Sequence, residues 1–120
     1  MKMSRIWLSI ITENQNSINK ANKLALALGE DLGFKEIINI EKYTKFPNSY
    51  RIELETENLD MDNLNVQCLK LTSQIAQPWT SYFDNDTNEI ELIFNKSAAT
   101  QFAKQKYNPI TWANAGIKKT

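Results

Sequence analysis

Apolar and polar positions along the chain alternate with a period of two in several short runs and with a helical period in two longer ones. "RIWLSIIT" sets Ile6, Leu8 and Ile10 on one side and Arg5, Trp7 and Ser9 on the other, the pattern of a half-buried strand. In "NSINKANKLALALGEDLGF", Ile18, Ala21, Leu24, Ala25, Leu28 and Leu32 recur at helical spacing, with Asn16 or Ser17 as N-cap and Gly33 as the stop. "KEIINIEKY" and "SYRIELETE" flank the turn signal "KFPNS" and predict a hairpin. In its second strand Tyr50, Ile52 and Leu54 face one way, and Arg51, Glu53, Glu55 and Glu57 the other.

A second helix is predicted over about residues 61–77, with a stripe of Leu64, Cys68, Leu71 and Ile75 and with Pro78 just beyond it. "WTSYF" and "EIELIF" read as strands around "DNDTNE", followed by a short helix near residues 97–106 and an extended "NPITWANAGI" tail. The order β-α-β-β-α-β, plus an extra C-terminal strand and helix, predicts an α+β fold. Its expected form is a ferredoxin-like split βαβ sandwich, an antiparallel sheet with two helices on one face. At 120 residues the chain is read as a single domain, 1–120.

Composition sharpens this picture by exclusion. The apolar share of 42% and the twelve aromatic residues are those of a globular core, not of a disordered chain. No apolar run approaches the roughly 18 residues of a membrane span. The apolar start runs directly into Glu13, Asn14, Gln15 and Asn16 without a small-residue cleavage site, so it reads as a first strand and not a signal peptide. One cysteine, Cys68, excludes an internal disulfide framework and places the chain in the cytoplasm. The net charge of zero conceals an uneven spread: +3 over residues 1–29, −8 over 30–95 and +5 over 96–120. The acidic middle argues against direct nucleic-acid binding there, because phosphate is held by clustered Lys and Arg.

"DNDTNE" is the one stretch with the look of a metal loop, since Asp84, Asp86 and Asn88 alternate as in a calcium-binding loop. Such a loop needs Gly at its sixth position and a bidentate acid at its twelfth; here those positions are Glu89 and Asn95. A polar hairpin turn is the expectation, with no metal and no cofactor. The chain has no histidine, which removes Ser-His and Cys-His nucleophiles and His-ligated zinc together. Cys68 lies on the apolar stripe of a helix and reads as core. Glu53 and Glu55 stand about 7 Å apart on one strand face, a spacing that carboxylate chemistry can use. Catalytic acids, however, need environments that separate their pKa values, and three glutamates on one polar face offer none. Gly29, Gly33 and Gly116 fit no phosphate-binding pattern. These readings together predict no enzyme.

Trp7 is the sharper candidate. With Ile6 and Leu8 turned inward it lies with Arg5 on the opposite sheet face, beside Glu53 and Glu55 if the first and third strands are neighbours. Trp and Arg are enriched at binding hot spots. Two outcomes stand open: an exposed anchor, or a Trp7 covered by a C-terminal helix through Ala99 and Phe102. The tail residues Tyr107, Ile110 and Trp112 pose the same choice between docking and exposure, while Lys118 and Lys119 read as a solvated end.

The C-terminal stretch "PWTSYFDNDTNEIELIFNKS", followed by "YNPITWA", resembles the ends of small bacterial immunity proteins that accompany contact-dependent growth-inhibition and other polymorphic toxins. Trp79, Tyr82, Phe83, the acidic turn, "ELIFN" and Trp112 carry the likeness, over about a third of the chain. The resemblance implies a non-enzymatic cytoplasmic protein that binds one cognate toxin, often a basic nuclease, and blocks it. The expected contact set is Trp7, Glu53, Glu55, Glu57, Asp84, Asp86, Glu89 and Glu91, with no membrane and with homo-oligomerisation left open. The rival readings are a ferredoxin-like regulatory domain that binds a small ligand and dimerises through its sheet, a carboxylate-dependent enzyme acting on a sugar or nucleotide, and a phage-encoded inhibitor of a host complex.

Overall fold

The computed structural model describes residues 4–59 and 63–119. Eight strands and two α-helices follow one another as β1 (Ser4–Thr12), α1 (Ile18–Leu32), β2 (Glu36–Lys42), β3 (Tyr50–Glu55), α2 (Leu64–Ser73), β4 (Ala76–Gln77), β5 (Thr80–Asp84), β6 (Glu89–Asn95), β7 (Gln101–Phe102) and β8 (Ile110–Lys119). Six strands form one antiparallel sheet in the order β2-β3-β1-β8-β6-β5, and β4 and β7 pair separately. The fold is α+β.

Both helices lie on one face of the sheet. The strands meet them with rows of apolar side chains: Leu54, Leu8, Ala115 and Leu92 in one row and Ile52, Ile10, Ala113 and Phe94 in the next. Helix α1 contributes Ala21, Leu24, Ala25 and Leu28, and α2 contributes Cys68 and Leu71; all belong to the same buried cluster. Ser17 caps α1 by accepting from the Lys20 amide at 3.4 Å, and Gly33 ends it in the left-handed conformation at φ 89°. Both ends are where the sequence places them. Helix α2 is shorter than expected. Residues 61 and 62 of the expected helix lie outside the described residues. At its other end, the Thr72 hydroxyl donates to the Cys68 carbonyl at 2.9 Å and Ser73 to Lys70 at 2.8 Å. Hydroxyls that take up helix carbonyls compete with a further turn, and Ile75 then leads into the β4 pairing.

The C-terminal quarter departs most from expectation. No α-helix covers residues 97–106. The Ser97 amide donates to Thr100 Oγ1 at 2.8 Å and the Ala99 amide to Ser97 Oγ at 3.2 Å, a hydroxyl-closed turn in place of a helical one. Phe102 then docks edge-on to Phe94, 6.0 Å between centroids, on the helix-bearing side of the sheet. Phe102 and Ala99 therefore leave the opposite face uncovered. The segment expected as a tail is β8, which lies at the centre of the sheet between β1 and β6. Its inward residues, Ala113 and Ala115, are small and fully buried beneath α2, where larger side chains would hold the helix off the sheet.

Between β7 and β8 a 3-10 turn (Gln105–Tyr107) ties the chain to the end of α1. Tyr107 is fully buried and its hydroxyl donates to Asp31 Oδ2 at 2.6 Å, while Lys106 and Lys104 reach the same oxygen at 2.6 and 3.3 Å. Lys106, the Tyr107 hydroxyl and Lys104 hold the Asp31 carboxyl down to about 2 from its ordinary 3.8, and burial and Asp31 raise the Tyr107 phenol above its usual range. A carboxyl lowered in the folded state stabilises the fold above its ordinary value and loses that contribution as pH falls through the lowered one. We therefore expect Asp31→Asn to be less stable than wild type at neutral pH, with the gap closing as pH falls from 3.8 to about 2. Urea midpoints measured across that range check this; a gap independent of pH would mean that the charge of Asp31 is not what stabilises the turn.

Candidate functional site

The face of the sheet away from the helices carries no covering element among the described residues. Strand alternation builds it in rows. Tyr82, Glu91, Gly116, Trp7, Glu55 and Glu36 stand side by side across all six strands. The next row reads Thr80, Ile93, Asn114, Ser9, Glu53 and Asn39. A third holds Asn95, Trp112, Ile11, Arg51 and Glu41. Trp7, Ile11, Ile93 and Trp112 are half-buried by their neighbours alone, and Tyr82 is more exposed still. Trp7 lies flat over Gly116: a Cβ built there would sit 2.8 Å from Trp7 Cζ2 and 2.9 Å from Cε2. The indole seals the one position of β8 that has no side chain of its own.

The β2–β3 connection curls Tyr43 and Phe46, with ring centroids 6.0 Å apart, over one end of this face. With Ile11, Arg51, Thr111 and Trp112 they line a shallow depression of about 390 Å³. A second hollow of about 250 Å³ lies beside it between Trp7, Ile38 and Glu53, and Arg51 borders both. Ile38 reaches this side because β2 bulges between Ile37 and Asn39. Ser9 Oγ and Asn114 Oδ1 are enclosed here with no hydrogen-bond partner among the described residues.

The acidic candidates do not form one open acidic surface. Glu55 is nearly buried, held between Arg5 at 3.5 Å and Lys118 at 3.2 Å. Arg5 in turn donates from Nε to Asn58 Oδ1 at 3.0 Å. Glu53 pairs with Arg51 at 3.2 Å. The exposed Arg51–Glu53 pair adds little stability, but together with the Glu55 pairs it neutralises the centre of the face. Lys118 and Lys119 are therefore not a free solvated end: Lys118 compensates Glu55, and Lys119 stands 3.8 Å from Glu89, close enough for an ion pair and too far for a hydrogen bond. Glu57 lies beyond the end of β3, exposed in a loop.

Glu91 is exposed and accepts from Asn114 Nδ2 at 3.4 Å. Asp84 and Asp86 are exposed at the β5–β6 turn, where the Asp86 amide donates to Asp84 Oδ1 at 2.9 Å and Asn88 closes the turn at φ 57°. That is an Asx-type turn. Among the described residues no three His, Cys, Asp or Glu side chains gather as metal ligands. Cys68 is fully enclosed, and burial pushes its thiol up to about 11.

Sequence reasoning thus located Trp7, Glu53, Glu55 and Glu91 on the outward face, left Trp112 open between docking and exposure, and missed Ile11, Tyr43 and Phe46. The signal for Ile11 was present in the alternation of β1. Trp112 needed the register of β8, which no local pattern supplies. Compared with known proteins, the chain matches no family model, no curated protein and no solved structure.

The Trp7–Gly116 contact yields a direct test. Gly116→Ala should cost about 1–3 kcal/mol, the usual range for overpacking, and shift the near-ultraviolet circular dichroism as the indole is displaced. In a Trp7→Ala background the cost should largely disappear. An equal cost in both backgrounds would locate the strain elsewhere.

Proposed function

We propose that the protein is a non-enzymatic binding module that receives a partner protein on the bare face of its sheet. We further propose that this partner is a bacterial toxin domain, which the protein neutralises. The observation that carries the reading is the six-stranded sheet itself, with both helices on one side and Trp7, Ile11 and Trp112 half-exposed on the other. A sheet face of this size that keeps aromatic side chains at its surface fits a recognition surface better than a solvated one. The depression beside Phe46 and Trp112 offers a socket for an apolar anchor of the partner. The toxin assignment rests on the resemblance of the stretch from Trp79 to Trp112 to immunity proteins. Asp84, Asp86 and Glu91, without an ion-pair partner among the described residues, favour a basic partner such as a nuclease and would speed its approach. In this reading the protein acts in the cytoplasm and touches neither nucleic acid nor membrane directly; no helix among the described residues is long and apolar enough to cross one.

We read the β2-β3-β1 half with α1 as the ferredoxin-like part of the fold. The place beside β1 that the strand after α2 would take is held by β8. The same layout keeps a second reading in play, a regulatory domain that binds a small ligand in the depression of about 390 Å³ and dimerises through its sheet.

Co-expression with the toxin domain encoded beside its own gene tests the first reading. Wild type should restore growth and co-purify in stoichiometric complex. Phe46→Asp and Trp112→Asp, checked for an unchanged melting temperature, should lose both. Absence of rescue, with a homodimer that Trp112→Asp dissociates, would replace the toxin reading by the regulatory one.

A further inference from the structure

The two edges of the main sheet are built differently. Edge β2 carries three charged residues, Glu36, Glu41 and Lys42, and a bulge between Ile37 and Asn39. Charges and bulges are the devices that stop a sheet edge from accepting another strand. Edge β5, Thr80–Asp84, has no bulge and a single charged residue. Its pairing with β6 runs without a register shift from Thr80 opposite Ile93 to Asp84 opposite Glu89. No Lys or Pro interrupts it, and its one charge, Asp84, stands at its end. Among the described residues it pairs with no strand but β6, and all five of its residues are exposed. Tyr82, opposite Glu91, projects on the bare face, and Phe83, opposite Ile90, on the helix-bearing face; they are 55% and 56% exposed. One large aromatic side chain thus flanks the open edge on each side of the sheet.

We propose that the outer edge of β5 is a strand-addition site for an extended, basic segment of a partner protein, which would extend the sheet by one strand. Main-chain hydrogen bonds to β5 supply the geometry, and Tyr82 and Phe83 supply contacts to alternate side chains of the incoming strand on the two faces. Charge selects the occupant. Asp84 and Asp86 stand at the end of β5 and Glu91 opposite its middle residue Tyr82, all without an ion-pair partner among the described residues. A Lys- or Arg-bearing strand relieves them, whereas a second copy of this chain doubles them in a short interface.

The test is amide hydrogen exchange by NMR on the full chain with a synthetic peptide that alternates Lys with Val and Thr. At peptide about tenfold above its dissociation constant, exchange of the β5 amides that point away from β6 should slow about tenfold, and the effect should weaken with added salt. The same peptide with Glu in place of Lys, or with alternate amides N-methylated, should give no protection. A Tyr82→Lys variant with unchanged melting temperature should lose the protection as well. Protection at β2, shifts confined to the Trp7 and Trp112 face, equal binding of the Glu peptide or no protection at all would each overturn the proposal. Slow β5 exchange in peptide-free protein that sediments as a dimer would overturn it too, by seating a second copy on the edge.

Discussion

The structure depends on the insertion of β8 between β1 and β6. Without it the sheet falls into two pieces, β2-β3-β1 on one side and β6-β5 on the other, with no other main-chain ladder between them among the described residues. The strand is held along almost its whole length, from Ser4 opposite Lys119 to Thr12 opposite Ile110 on the β1 side and from Glu91 opposite Gly116 to Asn95 opposite Trp112 on the β6 side. Each pairing closes a long loop, and the ordering entropy of such closures is recovered only when both sides are in place. The two halves of the molecule are therefore expected to unfold together.

That insertion also determines what the bare face is. Trp112 reaches Ile11, Gly116 receives the Trp7 ring and Lys118 reaches Glu55 only because β8 occupies the central position. The helices gather on the other side, where Ala113 and Ala115 let α2 approach. What remains is an amphipathic surface: aromatic side chains in the middle, carboxylates neutralised near the centre and, among the described residues, left uncompensated toward β5. Such a composition suits a recognition surface that is partly apolar and partly steered by charge.

Much of the architecture was legible from local pattern. The alternation in β1, the helical spacing and caps of α1, the β2–β3 hairpin and the turn at Asp84–Glu89 were all readable, because each is specified by residues close in sequence. The C-terminal quarter was not. Ala113, Asn114, Ala115 and Gly116 are poor strand formers, and their strand state comes from pairing on both edges. Ala98, Ala99, Ala103 and Lys104 favour helix on their own, yet the Ser97–Thr100 turn and the docking of Phe102 override them. The acidic face was misjudged for a related reason. Glu55 looks free in sequence because its partner Lys118 lies 63 positions away.

The central place of β8 also bears on how the protein is made. Synthesis proceeds from the N-terminus, and earlier segments begin to fold as they emerge. Strands β1 and β6 would leave the ribosome with their inner edges unpaired and would stay so until the residues up to Lys119 had cleared the exit tunnel. Throughout that interval the nascent chain carries two open, apolar-flanked edges, the state most prone to pairing with a neighbour on the same message. A chaperone that shields extended segments would matter most in that window, and least once the last strand has closed the sheet.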